Sequence, residues 1–105
     1  MVEITISSQL EIKLQELVYI LWLNDYFGFV ESAESYVNRI YDFISKISSK
    51  PKYKCKIQIF GKFYSKFKMN TNTTFNIVFD YSGNKYIINT IFNNNESGYK
   101  IYIKS

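Results

Sequence analysis

Apolar and polar residues alternate at the start of the chain, where Val2, Ile4 and Ile6 interleave with Glu3, Thr5 and Ser7. A period of two predicts a short, half-buried strand. The rhythm then changes. Ser8-Gln9-Leu10-Glu11 reads as a capping box, in which the serine oxygen accepts a free amide of the first turn and the glutamate reaches back to the serine. A helix is predicted from there, with Leu10, Leu14, Leu17, Val18 and Leu21 at spacings of three and four and Trp22 beside them, until residues 24–28 interrupt the pattern. A second helix is predicted over residues 30–48, where Ala33, Val37, Ile40, Ile44 and Ile47 repeat, flanked by Tyr36 and Phe43. Glu31 and Glu34 near its start and Lys46 near its end suit the helix dipole, and Pro51 prevents continuation. Two helices joined by a short bend are expected to pack as an antiparallel hairpin, with Tyr36 and Tyr41 at the edge of the core.

From Cys55 onward the period returns to two, in runs at 56–60, 61–69, 73–81, 85–93 and 99–104. The segment Asp80-Tyr81-Ser82-Gly83-Asn84-Lys85 supplies a hairpin connection and residues 70–72 the preceding turn. The expected fold is α+β: a short N-terminal strand and an antiparallel two-helix hairpin packed on a C-terminal antiparallel sheet of three to five strands. A larger closed barrel would need more strand than the pattern contains. With 105 residues, 47% of them hydrophobic and 19% aromatic, the chain is expected to form one domain around one core.

The charge is distributed unevenly. Residues 1–49 carry three basic and seven acidic side chains, a net of −4, whereas residues 50–105 carry ten lysines against Asp80 and Glu96, a net of +8. An anionic partner for the second half follows, either nucleic acid or an acidic protein segment. In the run 61–69, Phe63, Phe67 and Met69 fall on one face, so Lys62, Tyr64, Lys66 and Lys68 fall on the other. If the apolar set packs under the helices, this ladder projects from an open face, where ammonium groups hold phosphates and a tyrosine stacks on a base or donates a proton. Asn76 on the next strand is expected beside the ladder. Tyr99, Lys100, Tyr102 and Lys104 add a second mixture of aromatic and basic groups. Lysines on a solvent-facing edge also block unwanted strand pairing, and that plainer reading stays open.

Several chemistries are not supported. The chain has no histidine and a single cysteine, so neither a Ser-His-Asp triad, a Cys-His pair nor a Cys/His zinc site can be assembled, and Cys55 has no disulfide partner within the chain. The glycines form no phosphate-cradling loop, and no paired carboxylates in the basic half are placed to hold magnesium; no cofactor or metal is expected. The longest apolar run, residues 17–23, is too short to span a bilayer, and the N-terminus does not read as a signal peptide, so a cytoplasmic location with no membrane partner is expected.

Taken in order, strand, helical hairpin and antiparallel meander within about 100 residues resemble the RelE/ParE superfamily of bacterial type II toxins. Three segments carry the resemblance: residues 29–47 (FVESAESYVNRIYDFISKI) are similar to the family's second helix, 61–68 (GKFYSKFK) to the basic strand after it, and 73–95 (TTFNIVFDYSGNKYIINTIFNNN) to the hairpin that ends many such toxins. For RelE-like members the resemblance implies ribosome-dependent mRNA cleavage by a metal-independent endoribonuclease, in which the RNA's own 2′-hydroxyl attacks the adjacent phosphate. Lys62, Lys66 and Lys68, with Asn76 and Lys100, would then contact the nucleic acid, and Tyr64, Lys66 and Tyr99 would carry proton transfer and charge stabilisation. The implied partners are the ribosome and mRNA, and a cognate antitoxin with an acidic or amphipathic segment. ParE-like members act instead on DNA gyrase, and a non-enzymatic binding module of the same fold is a third possibility. The chain departs from the family pattern at Asn76, where arginine is common, and at Asn95, where histidine is frequent; Arg39 is its sole arginine. Lysine neutralises phosphate without arginine's bidentate fork.

Overall fold

The elements of the computed structural model, which describes residues 2–23 and 30–103, follow the predicted order: β1 (Glu3–Ile6), α1 (Ser8–Leu23), α2 (Val30–Ser45), a 3₁₀ turn (Ile47–Ser49), β2 (Tyr53–Lys54), β3 (Phe63–Lys68), β4 (Thr74–Ser82), β5 (Lys85–Asn93) and a wide closing turn (Tyr99–Ile103). The expected interruption at residues 24–28 lies outside the described residues, as does Lys104. The fold is α+β. The strands form one sheet in the order β1-β5-β4-β3-β2, antiparallel throughout except that β1 runs parallel to β5. The helices lie antiparallel, because Glu11 faces Tyr41 near one end while Val18 and Glu34 line one groove toward the other. That neighbourhood has an electrostatic trace: burial, then the Glu11 charge, raises the Tyr41 phenol above its ordinary pKa.

The predicted helical stripes form the main core. Leu10 and Leu14 of α1, Val37, Ile40 and Ile44 of α2, and Ile47 of the 3₁₀ turn pack on Phe75, Ile77 and Phe79 of β4 and on Tyr86, Ile88 and Ile91 of β5. Tyr36 and Tyr41 flank this cluster half-buried, as expected, and Tyr36 meets Phe75 edge-on at 6.2 Å. Burying such side chains removes apolar surface from water, which is the main driving force holding the helix layer to the sheet.

The N-terminal cap differs from the sequence expectation. Ser7, not Ser8, caps α1: its Oγ accepts from the Leu10 amide at 3.1 Å. The same hydroxyl donates to the Asn89 carbonyl at 2.9 Å, and the Ser7 amide donates to the Ile88 carbonyl. Ser7 therefore joins the end of β1, the start of α1 and the middle of β5, which Ser8, exposed on the helix, cannot do. Beyond Ser7 no strand covers β5 among the described residues; there Lys13 Nζ donates to the Ile91 carbonyl, lies over the Phe92 ring and pairs with Glu96 at 3.5 Å.

Among the described residues, the runs 56–60 and 99–103 are not strands. Pairing of β2 with β3 covers only Tyr53–Lys54, after which the Cys55 amide donates to the Lys62 carbonyl and the chain leaves the sheet plane. The amides of Lys56 and Ile57 both donate to the Tyr102 carbonyl, tying this segment to the closing turn. Together they cover the sheet face opposite the helices and build a second, smaller core from Cys55, Tyr64, Val78, Phe92 and Ile103, with Tyr99 and Tyr102 at its margin. Gly61 permits the close passage: a Cβ there would lie 2.9 Å from Val78 Cγ1 and 3.1 Å from the Phe79 carbonyl oxygen. In 99–103 the apolar positions thus reflect packing of Tyr99, Tyr102 and Ile103 onto the sheet, whereas the alternation in 56–60 marks no buried face, since all five residues are exposed.

Candidate functional site

The lysine ladder lies where the alternation puts it, but its face is not open. Phe63 and Phe67 of β3 and Met69 beyond it face the helices, and Tyr64, Lys66 and Lys68 face the other way. On that second face Tyr64 is only 9% exposed, enclosed by the segment around Cys55 and by the closing turn. Lys66 and Lys68 stay exposed, since they lie toward the far end of β3 from the cover. Lys62 is exposed too and is anchored through its amide, which donates to Asp80 Oδ1 at 3.0 Å. Lys100 projects from the closing turn.

Asn76 is the direct cross-strand partner of Lys66, beside the ladder as expected, yet it is buried at 1% exposure. Its Nδ2 donates to the Phe92 carbonyl at 3.1 Å, and its Oδ1 has no hydrogen-bond partner. A desolvated amide oxygen without a donor is uncommon in a folded protein.

Around Tyr64 the chain gathers other phenols. Its ring lies 5.5 Å from that of Tyr53, its partner on β2, and Lys66 Nζ sits 4.9 Å from the Tyr53 centroid. Burial, followed by the neighbouring Tyr99, Cys55 and Tyr53, pushes the Tyr64 phenol above its ordinary pKa, so it is held protonated at neutral pH. Burial and the Asp80 carboxylate push the Cys55 thiol up to about 11. The structure thus brings Tyr64, Lys66, Tyr99 and Asn76 into one region and adds Tyr53. Tyr53 escapes sequence reading because a two-residue strand has no period to detect.

No protein family, curated protein or solved structure matches this chain.

What the arrangement can do follows from its donors. The exposed ammonium groups of Lys62, Lys66, Lys68 and Lys100 neutralise anionic oxygens, and the half-buried Tyr99 offers a phenolic proton. Carboxylate function nearby is already engaged: Asp80 accepts from the Lys62 amide and from Asn89 Nδ2, and Glu96 accepts from the Asn93 amide while pairing with Lys13. Among the described residues no three His, Cys, Asp or Glu side chains come together as metal ligands, and no helix is long and apolar enough to cross a membrane.

Proposed function

We propose that this protein is a toxin of the RelE/ParE type, acting in the cytoplasm on ribosome-bound mRNA through the lysine rim of its second sheet face and neutralised by an antitoxin with an acidic or amphipathic segment. The observation that carries the reading is the pairing of that architecture with that rim. A helical hairpin covers one face of the sheet; on the other, Lys66 lies over Tyr53 of the tyrosine cluster, and Lys62, Lys68 and Lys100 are exposed on the approach to β3, on β3 itself and on the closing turn. In this reading Lys66 and Lys68 grip adjacent phosphates and offset charge developing in the transition state, Tyr99 donates or relays a proton, and Tyr64 beneath them fixes the position of Tyr99. Asn76 orients the Lys66 strand from below.

A second reading has its own support. Tyr64 is buried and protonated, and the nearby carboxylates are engaged, so an obvious general base is lacking. That favours a module of the same fold that binds nucleic acid or an acidic protein without turnover; a ParE-like inhibitor of DNA gyrase would likewise need no base.

The experiment is induction from a tight promoter in a bacterial host, following growth and full-length mRNA for the wild type and for a combined Lys62→Ala, Lys66→Ala, Lys68→Ala variant. Arrest with fragmented mRNA, relieved by the variant, is the expected result. Arrest with intact mRNA moves the target to gyrase, and absence of arrest leaves the binding module.

A further inference from the structure

The outer edge of β3 is open along part of its length. β2 pairs with Phe63 and Tyr64 only, and no strand lies outside Lys66–Lys68 among the described residues. The hydrogen-bond phase of the ladder is fixed by the Cys55 amide donating to the Lys62 carbonyl. Antiparallel pairing alternates, so the Lys62 carbonyl and the Tyr64 backbone groups point toward β2, and Lys66 and Lys68 direct theirs outward, where no partner strand receives them among the described residues. Unpaired N–H and C=O groups on an edge are a template for another strand.

The two sides of this edge differ in chemistry. On the second face stand the ammonium groups of Lys66 and Lys68. On the helix side, a groove of about 500 Å³ runs between α2 and β3, floored by Phe43 and Phe67, whose rings stack at 4.8 Å, and bounded by Arg39, Lys46 and Lys50. Asp42 is the acidic side chain in its lining and is paired with Lys46 at 3.2 Å. Arg39 leans on Phe67 and donates to the Met69 carbonyl, marking the end of the groove.

The geometry points to β-strand addition: the Lys66–Lys68 edge receives an extended, acidic segment of a partner protein, as an outer strand antiparallel to β3. Its residues opposite Lys66 and Lys68 are acidic and face the ammonium groups. The residue between them, opposite Phe67, is apolar and enters the Phe43–Phe67 groove. The recognised pattern is therefore acid–apolar–acid, with main-chain bonds providing affinity and the two faces providing selectivity. A second copy of this chain is a poor occupant, since it would set Lys66 and Lys68 against lysines. The inference does not depend on the toxin reading, because strand addition requires no catalysis.

The test uses the full chain, isotopically labelled, titrated with a nine-residue capped peptide of alternating glutamate and isoleucine. Saturable binding is expected, with slowed hydrogen exchange at the Lys66 and Lys68 amides. N-methylation of the glutamates, whose backbone groups face β3, should abolish binding, whereas N-methylation of the isoleucines, whose backbone groups face away, should preserve it. This comparison leaves the protein unaltered. A Lys66→Glu, Lys68→Glu variant with an otherwise unchanged amide spectrum should bind about tenfold more weakly or worse, as expected for like charges placed opposite each other. Absence of binding at millimolar peptide, or binding indifferent to glutamate N-methylation, would overturn the proposal. So would protection of these amides by a uridine octamer and not by the peptide, which would make the edge a nucleic-acid contact. None of these results bears on whether induction arrests growth, so failure of either idea is separately visible.

Discussion

Asn76 donates from Nδ2 to the Phe92 carbonyl across the β4–β5 pair while its own Oδ1 is left without a donor. An isosteric Asn76→Asp change would put a carboxylate against the Phe92 carbonyl in a desolvated site. The charged form is disfavoured there, so the folded-state pKa is raised above the unfolded value; stability is present at low pH and lost as pH rises through the folded pKa. Denaturant unfolding at neutral pH should show a loss on the order of 3 kcal/mol, with partial recovery near pH 4.

Cys55 and Tyr64 predict the alkaline limit of the fold. Both are held neutral by burial, with the thiol raised from 9.0 to about 11 and the phenol raised above 10.0. The folded state thus binds these protons more tightly than the unfolded state. The resulting stability is complete below pH 9 and is lost as pH climbs through about 11. Thermal unfolding between pH 8 and about 11 should show this decline, and Cys55→Ala should reduce it. Alkylation at pH 8 offers an independent check, because native Cys55 should react about a hundredfold more slowly than in denaturant from thiolate fraction alone.

Ser7 and Ser8 should differ in consequence although they are adjacent. Ser7→Ala loses the α1 cap and the bond to the Asn89 carbonyl, and should cost roughly 1–2 kcal/mol in urea unfolding. Ser8→Ala should lie within about 0.5 kcal/mol of wild type, as surface changes usually do.

Under the proposed toxin activity, the ladder residues should separate by exposure. Lys66→Ala should lower mRNA cleavage by at least about tenfold, in the range of a lost charge-stabilising contact, and Tyr99→Phe by about the amount of a lost proton donor, 10²-fold. Tyr64→Phe should retain most activity, because the Tyr64 side chain is largely enclosed, its phenol is held protonated, and it acts on Tyr99 by position. Primer extension on a ribosome-bound transcript would measure all three; a Tyr64→Phe loss as large as that of Tyr99→Phe would overturn this division of roles.

Much of the α+β arrangement is legible in the chain itself. The spacing of Val37, Ile40 and Ile44 marks the buried face of α2, and the alternation of Phe63 with Lys66 and Lys68 marks the two faces of β3. Local periodicity follows from burial on one side of an element, so one-sided segments announce themselves. The candidate site was legible in position and not in environment: the ladder residues and Asn76 do share a face, but the sequence gives no measure of what covers it.

Tertiary structure decided the rest, through contacts between residues far apart in sequence. Ile87, Ile88, Ile91 and Phe92 resist assignment by period because the β4–β5 register shifts at Val78/Phe79; this bulge lets Ile88 and Ile91 share the helix side although three positions separate them. Ser7 prevails over Ser8 as a cap because only Ser7 also meets the Asn89 carbonyl. Residues 56–60 alternate like a strand yet are all exposed, and 99–103 bury Ile103 from a helical turn; the Tyr102 carbonyl binds the two segments to each other. Periodicity records an amphipathic pattern; whether a surface buries it, and which one, is fixed only when the chain closes on itself.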